Sequence, residues 1–173
     1  MVTVLFVIGF QSAIGQIKFQ QFYDYSNTDR GYGVTQTSDG SHLVSGEMNV
    51  IGNQDMALLK MNKNGALQWS KVYGSSGGEE ARDVIETADS NYLIAGQADA
   101  DITLIKTQPN GDTLWTQSYG GQYTDVVYDI EQTDDDGFIG VGYTDNFDAA
   151  ASVENIFMFK TDVNGQLCRS WWL

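Results

Sequence analysis

Apolar and polar side chains alternate with a period of two along most of this chain, in short runs bounded by Gly, Asn, Asp and Ser, the pattern of half-buried β-strands. The pattern repeats. Lys106 to Gly121 reads Lys-Thr-Gln-Pro-Asn-Gly-Asp-Thr-Leu-Trp-Thr-Gln-Ser-Tyr-Gly-Gly, and Lys60 to Ser75 carries Lys, Asn-Gly, Trp and Tyr-Gly displaced by 46 residues. Downstream, Lys160 to Leu173 keeps Lys160, Asn164-Gly165 and Leu167, then diverges. One supersecondary unit recurring about every 50 residues predicts a repeat array rather than an ordinary mixed domain. No amphipathic helical window exceeds two turns.

Each unit reads as four antiparallel strands. The first ends in the column Val34 to Thr37, Val84 to Thr87 and Ile130 to Thr133, followed by turns at Ser38-Asp39-Gly40, Ala88 to Asn91 and Asp134 to Gly137. Strand two covers His42 to Gly46, Tyr92 to Gly96 and Phe138 to Gly142; strand three covers Met56 to Lys60, Ile102 to Lys106 and Ile156 to Lys160. Asn-Gly turns at Asn64, Asn110 and Asn164 then lead into a fourth strand carrying Trp69 and Trp115. Trp69 and Tyr73, like Trp115 and Tyr119, share one strand face, where large rings fill a wedge between sheets. Four strands per unit predict an all-β, propeller-like array of three four-stranded antiparallel blades, an incomplete propeller. The blades run over about 24–73, 74–119 and 120–173, with a surplus strand at 17–23.

Spacing is fixed from Tyr23, Tyr73 and Tyr119 to Gly46, Gly96 and Gly142, at 23 residues each. Every length change falls between strands two and three, at Glu47 to Gln54, Gln97 to Ala100 and Tyr143 to Glu154, so that connection forms a variable rim loop. Met1 to Gly15 is apolar and uncharged, ends in small residues, and reads as a signal peptide cut before Gln16, leaving 16–173 as the repeat domain. A buried first strand is the alternative.

Charge narrows the partners. Lys and Arg number 9 against 23 Asp and Glu, a net charge of −14, so nucleic acid and anionic lipid are repelled and no membrane insertion is expected after signal removal. Cys168 is the one cysteine, which rules out an intramolecular disulfide.

The motifs Thr-x-Asp with an aromatic and Gly (Thr133 to Gly142), Lys-Thr-Asp-x-Asn-Gly (Lys160 to Gly165), and Leu-Trp with Tyr-Gly-Gly (Leu114 to Gly121) resemble the repeat β-propellers of secreted and cell-surface bacterial proteins, especially those exported by type IX secretion. The resemblance covers Gln16 to about Leu167 and implies the repeat and its compartment, not an activity. The end departs from it, with Cys168 to Leu173 where Trp and Tyr-Gly are expected.

Candidate chemistry is sparse. Asp134-Asp135-Asp136 lacks the alternate acids of a calcium loop and reads as turn chemistry. Gly65-to-Trp69 and Gly111-to-Trp115 are similar to the docking motif of quinoprotein propellers, but with no vicinal cysteine pair no cofactor is expected. The ligand-binding candidates are Tyr143, Asn146 and Phe147 on the longest rim loop, and Asp29, Glu79 and Asp125, a column of acids at the start of strand one that also suits backbone capping. The expected function is a secreted or cell-surface, non-catalytic binding or scaffold module for a protein or glycan; the alternative is a fragment of a propeller hydrolase or lyase. Three blades leave open faces, so a homodimer or a longer parent chain is expected.

Overall fold

The computed structural model of the chain describes residues 20–23, 28–50, 52–74, 77–145 and 154–168. Among them there is no helix, and eleven strands form three antiparallel sheets. The first sheet holds β1 (Arg30–Gln36), β2 (His42–Asn49), β3 (Gln54–Met61) and β4 (Leu67–Tyr73) in that order. The second holds β5 (Glu79–Glu86), β6 (Tyr92–Ala98), β7 (Asp101–Thr107) and β8 (Thr113–Tyr119). The third holds β9 (Asp125–Gln132), β10 (Phe138–Thr144) and β11 (Asn155–Thr161). Every neighbouring pair is a hairpin, so the chain is an all-β, incomplete propeller-like array. The third sheet differs from the expected four strands. Its fourth begins only as a bridge from Thr161 to Leu167, matching Met61 with Leu67 and Thr107 with Thr113. Of the expected surplus strand, residues 20–23 are described and join no ladder. The expected signal peptide lies outside the described residues.

Sheets pack face to face through matching columns. Leu43, Met56 and Leu58 of the first sheet meet Val84, Tyr92 and Ile94 of the second, and Leu93, Ile102 and Leu104 of the second meet Val127, Ile130 and Phe138 of the third. Trp69 lies 6.3 Å from the Tyr92 ring and Trp115 lies 6.3 Å from the Phe138 ring, so the repeat indoles fill the wedge at successive junctions. Burying each such side chain stabilises by roughly 1.5–3 kcal/mol, more than one hydrogen bond contributes, so packing holds the junction and polar bonds set its register. Those bonds also repeat. Tyr73 donates to the carbonyl of Gly111 at 2.8 Å and Tyr119 to that of Gly165 at 2.5 Å, and burial pushes both phenols upward in pKa.

The Thr-x-Asp turns and the strand-three lysines form one unit at the opposite rim from the β2–β3 connections. Asp39 accepts bonds from Thr37 at 2.6 Å, Ser41 N–H at 2.8 Å and Lys60 at 3.1 Å, while Lys60 also reaches the Tyr92 hydroxyl of the next sheet at 2.8 Å. Asp89 and Lys106 pair at 2.7 Å, with the ammonium 5.7 Å from the centre of the Phe138 ring. Asp135 accepts from Thr133, Gly137 N–H and Lys160, which accounts for its turn without an ion. In the first two sheets the carboxylate thus neutralises a lysine that the next sheet covers. The Thr37 hydroxyl and then Ser41 hold Asp39 well below the usual carboxylate range; at Asp135 it is Lys160 and then Thr133. At Asp89 burial opposes the shift, and Lys106 and Thr87 overcome it.

A depressed carboxylate contributes stability that is present above its unfolded pKa of about 3.9 and lost as pH falls through the folded value. Thermal midpoints should therefore drop as pH goes from about 5 to 2. Asp89→Asn should start lower at pH 7 and lose less over that range. Equal pH slopes for the two proteins in melting scans would contradict this assignment.

Candidate functional site

The innermost strands of the three sheets, β1, β5 and β9, lie side by side, and each carries a bulge at the same place. The pairing register slips between Gly31 and Gly33, between Ala81 and Asp83, and opposite Val141 and Gly142, leaving Tyr32, Arg82 and Tyr128 unpaired. The cause lies across the ladder in the repeat glycines. A Cβ at Gly46, Gly96 or Gly142 would fall 2.0, 2.0 or 1.8 Å from the carbonyl oxygen of Arg30, Glu80 or Val126. Backbone comes so close there that only glycine fits, and the opposite strand takes up the extra residue as a bulge, which re-aims its side chain.

The three bulged side chains meet. The Arg82 guanidinium sits 4.8 Å from the centre of the Tyr32 ring and 5.9 Å from that of Tyr128, and Tyr128 lies 6.1 Å from Tyr143 on β10. An aromatic, cation, aromatic row therefore crosses three sheets and ends beside the longest rim connection. Tyr32 and Tyr128 remain 38% and 54% exposed, a large aromatic surface to leave in water. Arg82 is held by Glu80, and its Nε–H is buried with no hydrogen-bond partner. Beside it, Glu47 is fully buried between Arg30 and Gln54. Burial, then Glu47 and Glu80, push the Tyr32 phenol upward; burial, then Glu154, do the same to Tyr143. Both hydroxyls thus stay protonated donors at neutral pH.

Next in the column after the bulge come Gly33, Asp83 and Asp129. Burial raises the Asp83 pKa, and a hydrogen bond with Asp129 raises it further. Its two oxygens accept from Val84 N–H at 2.8 Å and Ile130 N–H at 3.1 Å, so this carboxyl ties β5 to β9 and fixes where Arg82 and Tyr128 emerge.

Of the residues singled out in the sequence, Tyr143 joins this row; Asn146 and Phe147 lie outside the described residues. The acidic column stands on the same rim, turned to another use. Asp29 accepts the Asn49 N–H at the end of β2 at 3.2 Å, and Asp125 the N–H of Gly121, in the connection that leads into β9, at 3.0 Å. Glu79 is buried and hydrogen-bonded to Asp55, whose carboxyl burial and then Glu79 push upward. Among the described residues, no three His, Cys, Asp or Glu side chains gather as a metal site.

Sequence reasoning passed over Tyr32, Arg82 and Tyr128. They form one column, nine residues after each repeat tyrosine and fourteen before each repeat glycine. That constant offset between a large side chain and a glycine was the available signal.

No protein-family model and no curated protein matches the chain. Among solved structures it is similar to the crystal structure of a protein of unknown function from Bacteroides caccae, with TM-score 0.42 and 12% identity over 86% of this chain and 70% of that one.

Proposed function

We propose that the chain is a non-catalytic binding or scaffold module of a secreted or cell-surface protein, and that it takes a neutral glycan or a protein segment along the Tyr32, Arg82, Tyr128 and Tyr143 row. The convergence of those four side chains from three sheets carries the reading. Tyrosine faces stack on the C–H faces of a sugar ring or on a peptide side chain, and the guanidinium set between two of them supplies a charged donor. The net charge of −14 disfavours polyanionic ligands. The neighbouring β10–β11 connection, with Asn146 and Phe147, adds contacts at one end, as variable loops on a rigid array do. Export removes Met1 to Gly15, in keeping with the type IX resemblance.

Binding to a glycan array and a surface-protein panel tests this. Arg82→Ala with Tyr128→Ala should weaken the selected ligand at least about tenfold and leave the thermal midpoint within a few degrees. Replacing residues 146–152 by a Gly-Ser turn should weaken it less. Binding that survives the double substitution and is lost only with Asp29→Asn, Glu79→Gln and Asp125→Asn together would move the site to the acidic column.

One observation favours the enzymatic alternative: Asp83 and Asp129 form a hydrogen-bonded carboxyl pair, a pattern that separates two pKa values. Both Asp83 oxygens already accept backbone N–H groups, which makes the pair a junction clamp in the binding-module reading.

A further inference from the structure

The two outer faces of the array are copies of faces that mate inside it. On the third sheet Val141, Ile156 and Met158 are 40%, 89% and 67% exposed. Their column mates Ala95, Ile102 and Leu104, and Ser45, Met56 and Leu58, are covered by the next sheet and at most 1% exposed. At the other end, Val34 is 69% exposed, whereas Val84 and Ile130 in its column are 1% exposed under the preceding sheet. A hollow of about 410 Å³ opens on this face of the first sheet, lined by residues including Tyr23, Met48, Leu59 and Met61.

One hydrogen bond indicates what fits there. Within the chain, Tyr73 at the end of β4 binds Gly111 of the second sheet, and Tyr119 at the end of β8 binds Gly165 of the third. Gly65 of the first sheet accepts the same bond from Tyr23, at 3.1 Å. Residues 20–23 therefore lie where the end of a preceding sheet's fourth strand belongs, yet they join no ladder within the chain. The third sheet has the complementary want. Among the described residues, its β11 pairs along Asn155 to Phe159 with β10 alone, where β3 and β7 have a fourth strand outside them.

We propose that a second copy of this chain meets both needs: the open face of its first sheet, with residues 20–23, covers the third sheet of the first copy, and the reciprocal contact closes a two-fold ring of six sheets. The register follows from Met56 with Tyr73, Ala57 with Val72 and Leu58 with Lys71. It sets Tyr23 of one copy opposite Ile156 of the other, Phe22 opposite Phe157, and Gln21 opposite Met158. The polar bonds carry over too. Ser38 N–H donates to Glu86 and Ala88 N–H to Gln132 of the next sheet, so Asp134 N–H donates to Gln36 of the second copy. This pairing is independent of the ligand reading. Because each copy carries −14, salt strengthens the association by screening the repulsion.

The test is the mass of the full chain in solution by light scattering at low micromolar concentration, with and without 0.5 M salt, about the level that leaves only short-range charge effects. Twice the chain mass is expected, and Ile156→Lys with Met158→Lys should return it to the single-chain mass with its melting transition intact. A second measurement fixes the register. In a Cys168→Ser background, Gln21→Cys with Met158→Cys should oxidise to a disulfide-linked dimer, and neither single cysteine should do so efficiently. A monomeric parent chain, a bridge that closes within one chain, or an open ladder of higher oligomers would each overturn the six-sheet ring.

Discussion

Gly96→Ala should destabilise the protein by about 3 kcal/mol or more, near the top of what overpacking does, while Gly78→Ala should change little. A Cβ at residue 96 would stand 2.0 Å from the Glu80 carbonyl oxygen and 2.9 Å from the Ala81 Cα, both backbone, so no side-chain rotation relieves the clash. At Gly78 nothing lies within 4 Å of the added carbon. The substitution acts on the bulge as well as on stability, because the close approach at Gly96 goes with the extra residue Arg82 in β5. Whatever folded fraction survives should therefore have lost the stacking of Arg82 between Tyr32 and Tyr128, and with it ligand binding. Chemical denaturation measures the first effect. A Gly96→Ala protein as stable as the parent would mean that the bulge has another origin.

Phe138→Ala should cost about 3–5 kcal/mol, in the range for deleting a buried aromatic ring. Phe138 is fully buried, 6.3 Å from Trp115, and lies beneath the Lys106 ammonium at 5.7 Å, so its loss opens a cavity at the junction and removes the ring from a covered cation. Phe138→Leu should recover more than half of the loss, because it refills most of the volume. Urea unfolding of the two variants separates a packing role from a merely local one; equal midpoints for Phe138→Ala and the parent would contradict the junction described above.

The repeat made much of this fold legible. Constant spacing from repeat tyrosine to repeat glycine fixed strands one and two of every unit, and Asn-Gly located the third turn, because those features depend on local backbone chemistry. Strand ends were less visible. β2 continues through Glu47, Met48 and Asn49, beyond the Gly46 at which the turn residues end it in sequence, because pairing with Gln54 to Met56 extends the ladder past the local punctuation. Whether residues 20–23 form a strand depends on a pairing edge, a property of the assembly that no periodicity encodes.

The site was half legible for the same reason. Tyr143 stood out as an aromatic beside a variable loop. Tyr32, Arg82 and Tyr128 sit inside strands, where a period of two assigns each to an ordinary sheet face; only the unpaired bulge brings them together. The acids of the Asp29, Glu79 and Asp125 column were visible by type, but the Asn49 amide that engages Asp29 comes from the far end of β2, and the Gly121 amide that engages Asp125 is backbone that any residue there would offer, so neither partner is marked by residue type.

Binding along the Tyr32, Arg82 and Tyr128 row is tested most directly by the NMR signal of the Arg82 Nε–H, followed together with the Tyr32 and Tyr128 ring resonances while a ligand from the glycan or protein panel is titrated. Saturable shifts are expected at all three side chains and at Tyr143, with the Thr-Asp turns at Asp39, Asp89 and Asp135 unmoved. Shifts centred on those turns, with Arg82 and its flanking rings unchanged, would contradict it.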